Sequence, residues 1–299
     1  MAQAHPLPVH SLPVVVGTNA QPAIRNITTT DLLDSLSKGL QDFSAMPSHA
    51  VFLCIVYPVI GVLLFTMTFG LNVVPLLYPL ATGFALAGPF AAIGLYEMSR
   101  RREAGLPVSF GHLYLSHTRS RLGIAVLGLS LLVIFLVWLG VARQINVANF
   151  GYAVPDSLTE FARAMLFTQA GWNVIIIGNI VGFVFAVAVL ALSVVSFPML
   201  IDRDVGVGTA VMTSLRAVAV NPINMSLWGL IVAGLLFLGS LPLFLGLVIV
   251  LPVLGHATWH LYRRVVEPGP AEAPVHHERP KNYAADFPVA LFYSWREKE

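Results

Sequence analysis

Residues 225–264 read MSLWGLIVAGLLFLGSLPLFLGLVIVLPVLGHATWHLYRR, and no charge interrupts them before Arg263. One membrane-crossing helix needs ~20 apolar residues, so this run is long enough for two crossings and too long for one. Proline and glycine are where a helix most readily stops and reverses. The reversal is therefore expected at Gly239-Ser240-Leu241-Pro242. The run then ends in Gly255-His256-Ala257-Thr258-Trp259-His260-Leu261-Tyr262-Arg263-Arg264, a mixture of aromatic, imidazole and basic side chains. That order suits a helix leaving hydrocarbon for the headgroup layer, with Trp259, Tyr262, Arg263 and Arg264 as interface anchors.

The rest of the 299 residues agrees with this reading. Hydrophobic residues make up 57% of the chain and charged residues 11%, against about 25% charged in a soluble domain. Too few charges remain to cover a water-exposed surface, so the chain is expected to be integral to a lipid bilayer. The formal charge of +2 is thinly spread, and nucleic-acid binding, which needs a clustered basic face, is excluded. The single cysteine, Cys54, rules out an internal disulfide and a cysteine-based zinc site. Free cysteine packs as a small buried hydrophobe.

The expected fold is all-α, with six transmembrane helices and short amphipathic helices at the interface. Residues 1–30 read as a flexible tail, 31–265 as the transmembrane domain and 266–299 as a second tail. Thr30 is the expected N-cap of an amphipathic helix, with Asp31 and Asp34 favoured by the helix dipole in its first turn. Leu32, Leu33, Leu36, Leu40 and Phe43 recur at helical spacing against Asp34, Ser37, Lys38 and Gln41, so this helix should lie along the membrane surface. Spans follow at about 51–71 and 73–97, joined by a tight turn at Phe69-Gly70-Leu71-Asn72, then at about 122–141 and 172–200. The last pair is the 225–264 hairpin. Further amphipathic pieces are expected at 109–121, 157–167 and 206–220. Between the third and fourth spans lies a long loop, 142–170. Gly178 and Gly182 offer a flat face for a neighbouring helix.

Six spans place both ends of the chain on one side of the membrane. That side carries fifteen of the seventeen Lys and Arg residues, Arg143 and Arg163 being the two opposite. The excess of basic residues identifies the cytoplasmic side, so both termini are expected in the cytoplasm.

Several stretches together resemble a bacterial family. These are Phe197-Pro198-Met199-Leu200-Ile201-Asp202-Arg203-Asp204-Val205-Gly206, Asn221-Pro222, Trp228-Gly229 and the Gly255–Arg264 ending. The family is domain-of-unknown-function family 2189, predicted integral membrane proteins, and the likeness extends over roughly residues 40–265. Some members are described as cytochrome c oxidase subunits. The resemblance implies a bacterial inner membrane and a respiratory context, and it supplies no activity to carry onto residues.

Few side chains invite chemistry. His256 and His260, at i and i+4, can face the same direction and suit two ligands of one metal. Haem or copper are the groups the pair would suit, and the sequence favours neither. The competing use is a pair of interfacial histidines beside Trp259 and Tyr262. A haem–copper catalytic core is excluded, because it needs several histidines within the spans. Glu97 and Asn179 are the intramembrane polar residues; Glu97 has Arg100 and Arg101 within helical reach, and Asn179 suits a helix–helix hydrogen bond. Asp202, Arg203, Asp204 and Arg216 make a cytoplasmic charge cluster. No nucleophile elbow, phosphate loop or HExxH motif occurs, so an enzyme is not expected. Two functions remain: an accessory or assembly component held laterally against other membrane subunits, and a small-solute transporter or channel.

Overall fold

The computed structural model describes residues 22–55, 59, 61–62, 88–108, 121–152, 157–242 and 244–268. Among them the fold is helical, and the extended backbone is limited to one antiparallel bridge between Ile24 and Val266. In chain order the helices are α1 (Thr29–Ala45), α2 (Pro47–Cys54), α3 (Gly88–Glu103), α4 (Arg121–Phe150), α5 (Leu158–Phe167), α6 (Gln169–Ser193), α7 (Ser196–Asp202), α8 (Val207–Val220), α9 (Pro222–Ser240) and α10 (Leu247–Val265).

Three stretches among the described residues are long and apolar enough to cross a membrane: α4, the run Gln169–Asp202 formed by α6 and α7, and α9. They correspond to the third, fourth and fifth expected spans. Most of the first span, the Phe69–Asn72 turn and much of the second span lie outside the described residues, as does nearly all of the 109–121 piece. The expected sixth span, α10, does not meet the same test: the half from Leu254 onward carries two histidines and two arginines and is packed inside protein.

Local chemistry sets the helix ends. The N-cap of α1 is Thr28, two residues before the expected Thr30: Thr28 and Asp31 form a reciprocal capping box, with the Asp31 carboxylate accepting the Thr28 N–H at 2.8 Å. Ser157 and Thr168 cap α5 and α6 through their side-chain oxygens alone, which accept the Glu160 and Gly171 N–H groups. Helix α4 continues to Phe150, well past its hydrophobic boundary, and stops at Gly151, whose φ of 67° places it in the left-handed region. The long loop expected at 142–170 is therefore mostly helix. The α9–α10 reversal falls at 241–246, where the Gly-Ser-Leu-Pro signal places it.

The core gathers around α7 and the second half of α10. Phe197, Met199, Leu200, Trp228, Trp259 and Tyr262 are among its fully buried side chains. At the α6–α7 bend, the Val195 N–H donates to Ser214 Oγ at 3.2 Å and the Ser196 hydroxyl donates to the Ala210 carbonyl, so α8 holds the bend in place. Gly182 packs under the Trp138 ring of α4, whereas Gly178 faces open space.

Helix α1 packs on protein along one face and keeps part of its expected apolar face outward. It runs antiparallel to α10 and buries Leu32, Ser35, Gly39 and Asp42 against it, while Leu33 and Leu40 are left exposed. The approach is close enough that a Cβ on Gly39 would lie 2.6 Å from the Val253 carbonyl oxygen. Shape decides here: only the Gly39 side of α1 allows backbone contact.

Candidate functional site

The antiparallel packing of α1 on α10, with α3 alongside, brings polar side chains from three distant parts of the chain into one buried seam. Asp42 of α1 is at its centre. Its Oδ2 accepts the Ser99 hydroxyl at 2.6 Å and the His260 Nε2–H at 2.9 Å, and its Oδ1 accepts from Arg102. Burial alone would raise the Asp42 carboxyl. The hydrogen bonds from His260 and Ser99, with the fields of His260 and His256, outweigh it and hold the carboxyl below its ordinary range. Asp42 is thus an ionised acceptor.

That assignment orders the next link. Ser99 Oγ also lies 2.8 Å from His256 Nδ1, and its one hydroxyl proton is committed to Asp42. His256 must therefore donate from Nδ1, which leaves Nε2 as the bare nitrogen. His256 is fully buried, and among the described residues this Nε2 has no hydrogen-bond partner. The two histidines expected as a metal pair do share the seam, but they do not converge on a common point: His260 uses Nε2 on Asp42 and His256 uses Nδ1 on Ser99. Among the described residues, no group of three or more His, Cys, Asp or Glu side chains is placed to hold a metal ion.

A second layer of charge covers the outer end of the seam. Tyr262 donates to Asp202 Oδ2 at 2.6 Å, Trp259 Nε1 donates to Glu103 at 3.0 Å, and Arg263 reaches both carboxylates. Arg264 pairs with Asp31 and Asp34. Trp259 and Tyr262 are therefore not interface anchors. Both are at most 1% exposed, with ring centroids 5.6 Å apart, because each polar tip finds a carboxylate inside the protein and needs no headgroup.

Of the charge cluster expected at 202–216, Asp202 and Arg203 join this layer; Arg203 donates to the Glu267 carbonyl at 2.6 Å. Asp204 lies exposed in the turn before α8, and Arg216 lies exposed on α8. Glu97 accepts from Arg100 through both oxygens, at 2.7 and 2.8 Å, and from Arg101 at 2.9 Å. It is a locally neutralised helix-end carboxylate. Asn179 donates to the Ile175 carbonyl of its own helix at 2.7 Å.

The same pole ties the chain ends together. The Arg25 N–H donates to the Val265 carbonyl, and the Glu267 N–H donates to Ala23. Asn221 accepts the Ile27 N–H at 2.9 Å and donates to the Arg25 carbonyl at 3.0 Å. Residues 22–30, expected as flexible tail, are held here.

Sequence reasoning missed Asp42, Ser99, Arg102, Glu103 and Asn221. One signal was present: Leu32, Ser35, Gly39 and Asp42 are spaced 3, 4 and 3, a helical stripe, but the larger leucines beside it drew the reading to another face.

A shallow groove elsewhere, between α4 and α6, is lined by Val137, Gly140, Val141, Gln144, Asn149 and Ile177 among others. Neither Glu97 nor Asn179 lines it.

Among known families, the one described as "Predicted integral membrane protein (DUF2189)" matches residues 76–202. This is a shorter segment than the 40–265 suggested by eye. It contains Ser99, Arg102, Glu103 and Asp202, whereas Asp42, Asn221 and both seam histidines lie outside it. No curated protein and no solved structure gave a match.

Proposed function

We propose that this membrane protein is a non-catalytic accessory or assembly component, held laterally against other subunits of a membrane complex. One contrast carries the reading. The charged side chains of the seam are engaged with one another inside the chain, while a long apolar surface is left uncovered. Only 6% of the apolar window within Gln169–Asp202 is buried, and Ile176, Ile180, Phe183 and Val184 stand outward from it. A helix this bare suits contact with lipid and with a neighbouring span, where close packing drives association. The respiratory setting is the one the family resemblance suggests. We place the protein in a bacterial inner membrane with both ends in the cytoplasm, in keeping with the Arg100–Arg102 run and Arg263-Arg264 sharing the pole at which residues 22–28 and 265–267 meet.

The test is purification from native membranes in mild detergent. Stoichiometric co-purification of a distinct membrane protein, lost when outward-facing α6 residues such as Ile180 and Phe183 are replaced by bulky polar ones, is the expected result. A lone species, with the same size before and after those replacements, overturns the reading.

A further inference from the structure

The groove between α4 and α6 has a volume of about 640 Å³ and a direction. The two helices run antiparallel, with Gly182 under Trp138 at one level and Gly123 against Leu200 at another. The groove therefore lies at the end of the pair far from the Arg100–Arg102 pole. Along α4 its lining extends from Val137 to Asn149, a rise of about 18 Å at ~1.5 Å per residue. Its chemistry changes along that length. Val137, Gly140, Val141 and Ile177 are apolar and lie on the hydrocarbon side of Ala142, where the hydrophobic run of α4 ends. Gln144 and Asn149 are amides on the headgroup side. At Gly140 the floor is open, since a Cβ built there meets nothing within 4 Å.

Length selects the occupant. A neighbouring spanning helix would follow the pair through the whole hydrocarbon layer, ~30 Å thick, whereas the groove rises about half the ~40–45 Å of a bilayer with its headgroups. One leaflet has that depth, and a molecule of one leaflet is apolar below and polar above, as the lining is. Asn149 gives one amide N–H to the Ile145 carbonyl at 2.8 Å and keeps a second, and the Gln144 side chain is exposed. We propose that the groove holds one phospholipid, its acyl chain along Val137, Gly140 and Ile177 and its phosphate or ester oxygens on the Gln144 and Asn149 amides. Among the described residues none that lines the groove is charged, so zwitterionic and anionic phospholipids are held alike. Arg143 and Arg163 are exposed at the same end but do not line it. The site goes beyond the accessory reading and does not depend on it, because Ile180 and Phe183 lie outside the groove.

The test is native mass spectrometry of the full chain, stripped of lipid in mild detergent and then given phosphatidylethanolamine or phosphatidylglycerol. The wild type is expected to retain one molecule of either lipid. Gly140→Phe, which fills the floor, should lose it, and Gln144→Leu should retain it less well. Equal retention by the wild type and both variants overturns the proposal. So does retention of phosphatidylglycerol alone, which marks a surface contact with the arginines. If Gly140→Phe does not fold, Gln144→Leu at its exposed position still decides, and unchanged retention overturns the site. A Gly140→Cys chain oxidised in native membranes should stay monomeric; a disulfide-linked dimer would put a second copy in the groove and overturn the lipid.

Discussion

Gly39 and Ala257 meet backbone to backbone: a Cβ built on Gly39 would lie 2.7 Å from both the Ala257 nitrogen and its Cβ. There is no flexible side-chain end to move aside. Gly39→Ala therefore has to push α1 off α10, and overpacking of this kind costs about 1–3 kcal/mol. Thermal unfolding in detergent should show the loss, together with faster proteolysis within α1. Gly140→Ala is the control, since a Cβ there meets nothing within 4 Å and stability should be unchanged.

Asn221 should act on the N-terminal segment and little else. Asn221→Ala removes the acceptor for the buried Ile27 N–H and the donor to the Arg25 carbonyl. Leaving one buried donor unmet costs about 1–3 kcal/mol. Hydrogen exchange should rise sharply at residues 25–28 while α6 and α9 are unaffected. Uniform loosening of the whole chain would show that Asn221 supports the α8–α9 corner instead.

Acid should weaken the seam through Asp42. Its folded carboxyl is held below the ordinary value of 3.8, so the unfolded chain takes up that proton first as pH falls. The stability it contributes is present above the ordinary carboxylate range and is lost as pH drops through about 4 toward the lower folded value. Asp31, lowered by its hydrogen bonds to Thr28, adds a loss of the same sign. The melting temperature of the wild type should fall over that window, and Asp42→Asn should flatten the slope from a lower starting stability.

Tyr262→Phe separates hydrogen bonds from a ring. The ring stays packed against Trp259, and the hydroxyl's bonds with Asp202 and Arg203 are lost, at about 0.5–1.5 kcal/mol for each hydrogen bond. Tyr262→Ala also opens a cavity in a site that is 1% exposed and should cost about 3–5 kcal/mol, the range for deleting a buried aromatic. A similar loss for the two variants would mean that the hydroxyl's bonds, and not packing, hold the end of α10.

Hydropathy and turn residues made several elements legible in advance. The 241–246 reversal, the α8 stop at Asn221-Pro222, and the α5 start at Ser157 all follow from local chemistry. Boundaries set by something else were misplaced. Helix α4 ends at Gly151 because its backbone turns there, not where its side chains become polar at Ala142. The α10 ending was harder still: Trp259 and Tyr262 beside two arginines look the same from sequence whether the polar tips meet headgroups or carboxylates. Glu97 with Arg100 and Arg101 was readable because all three sit within one helical turn. Asp42 with His260, 218 residues apart, was not, because only tertiary packing makes them neighbours.

The bridge between Ile24 and Val266 has a topological consequence. With those two residues paired, and the hydrogen bonds made by their neighbours, Arg25 to Val265 and Glu267 to Ala23, the described fold is nearly a closed ring of chain, and its order of helices is a cyclic order with an arbitrary starting point. A short peptide joining residue 22 to residue 268, with new ends opened between α4 and α5, would preserve every helix contact described above. Such a circular permutant moves the chain ends to the opposite end of α4, away from the pole where they now meet.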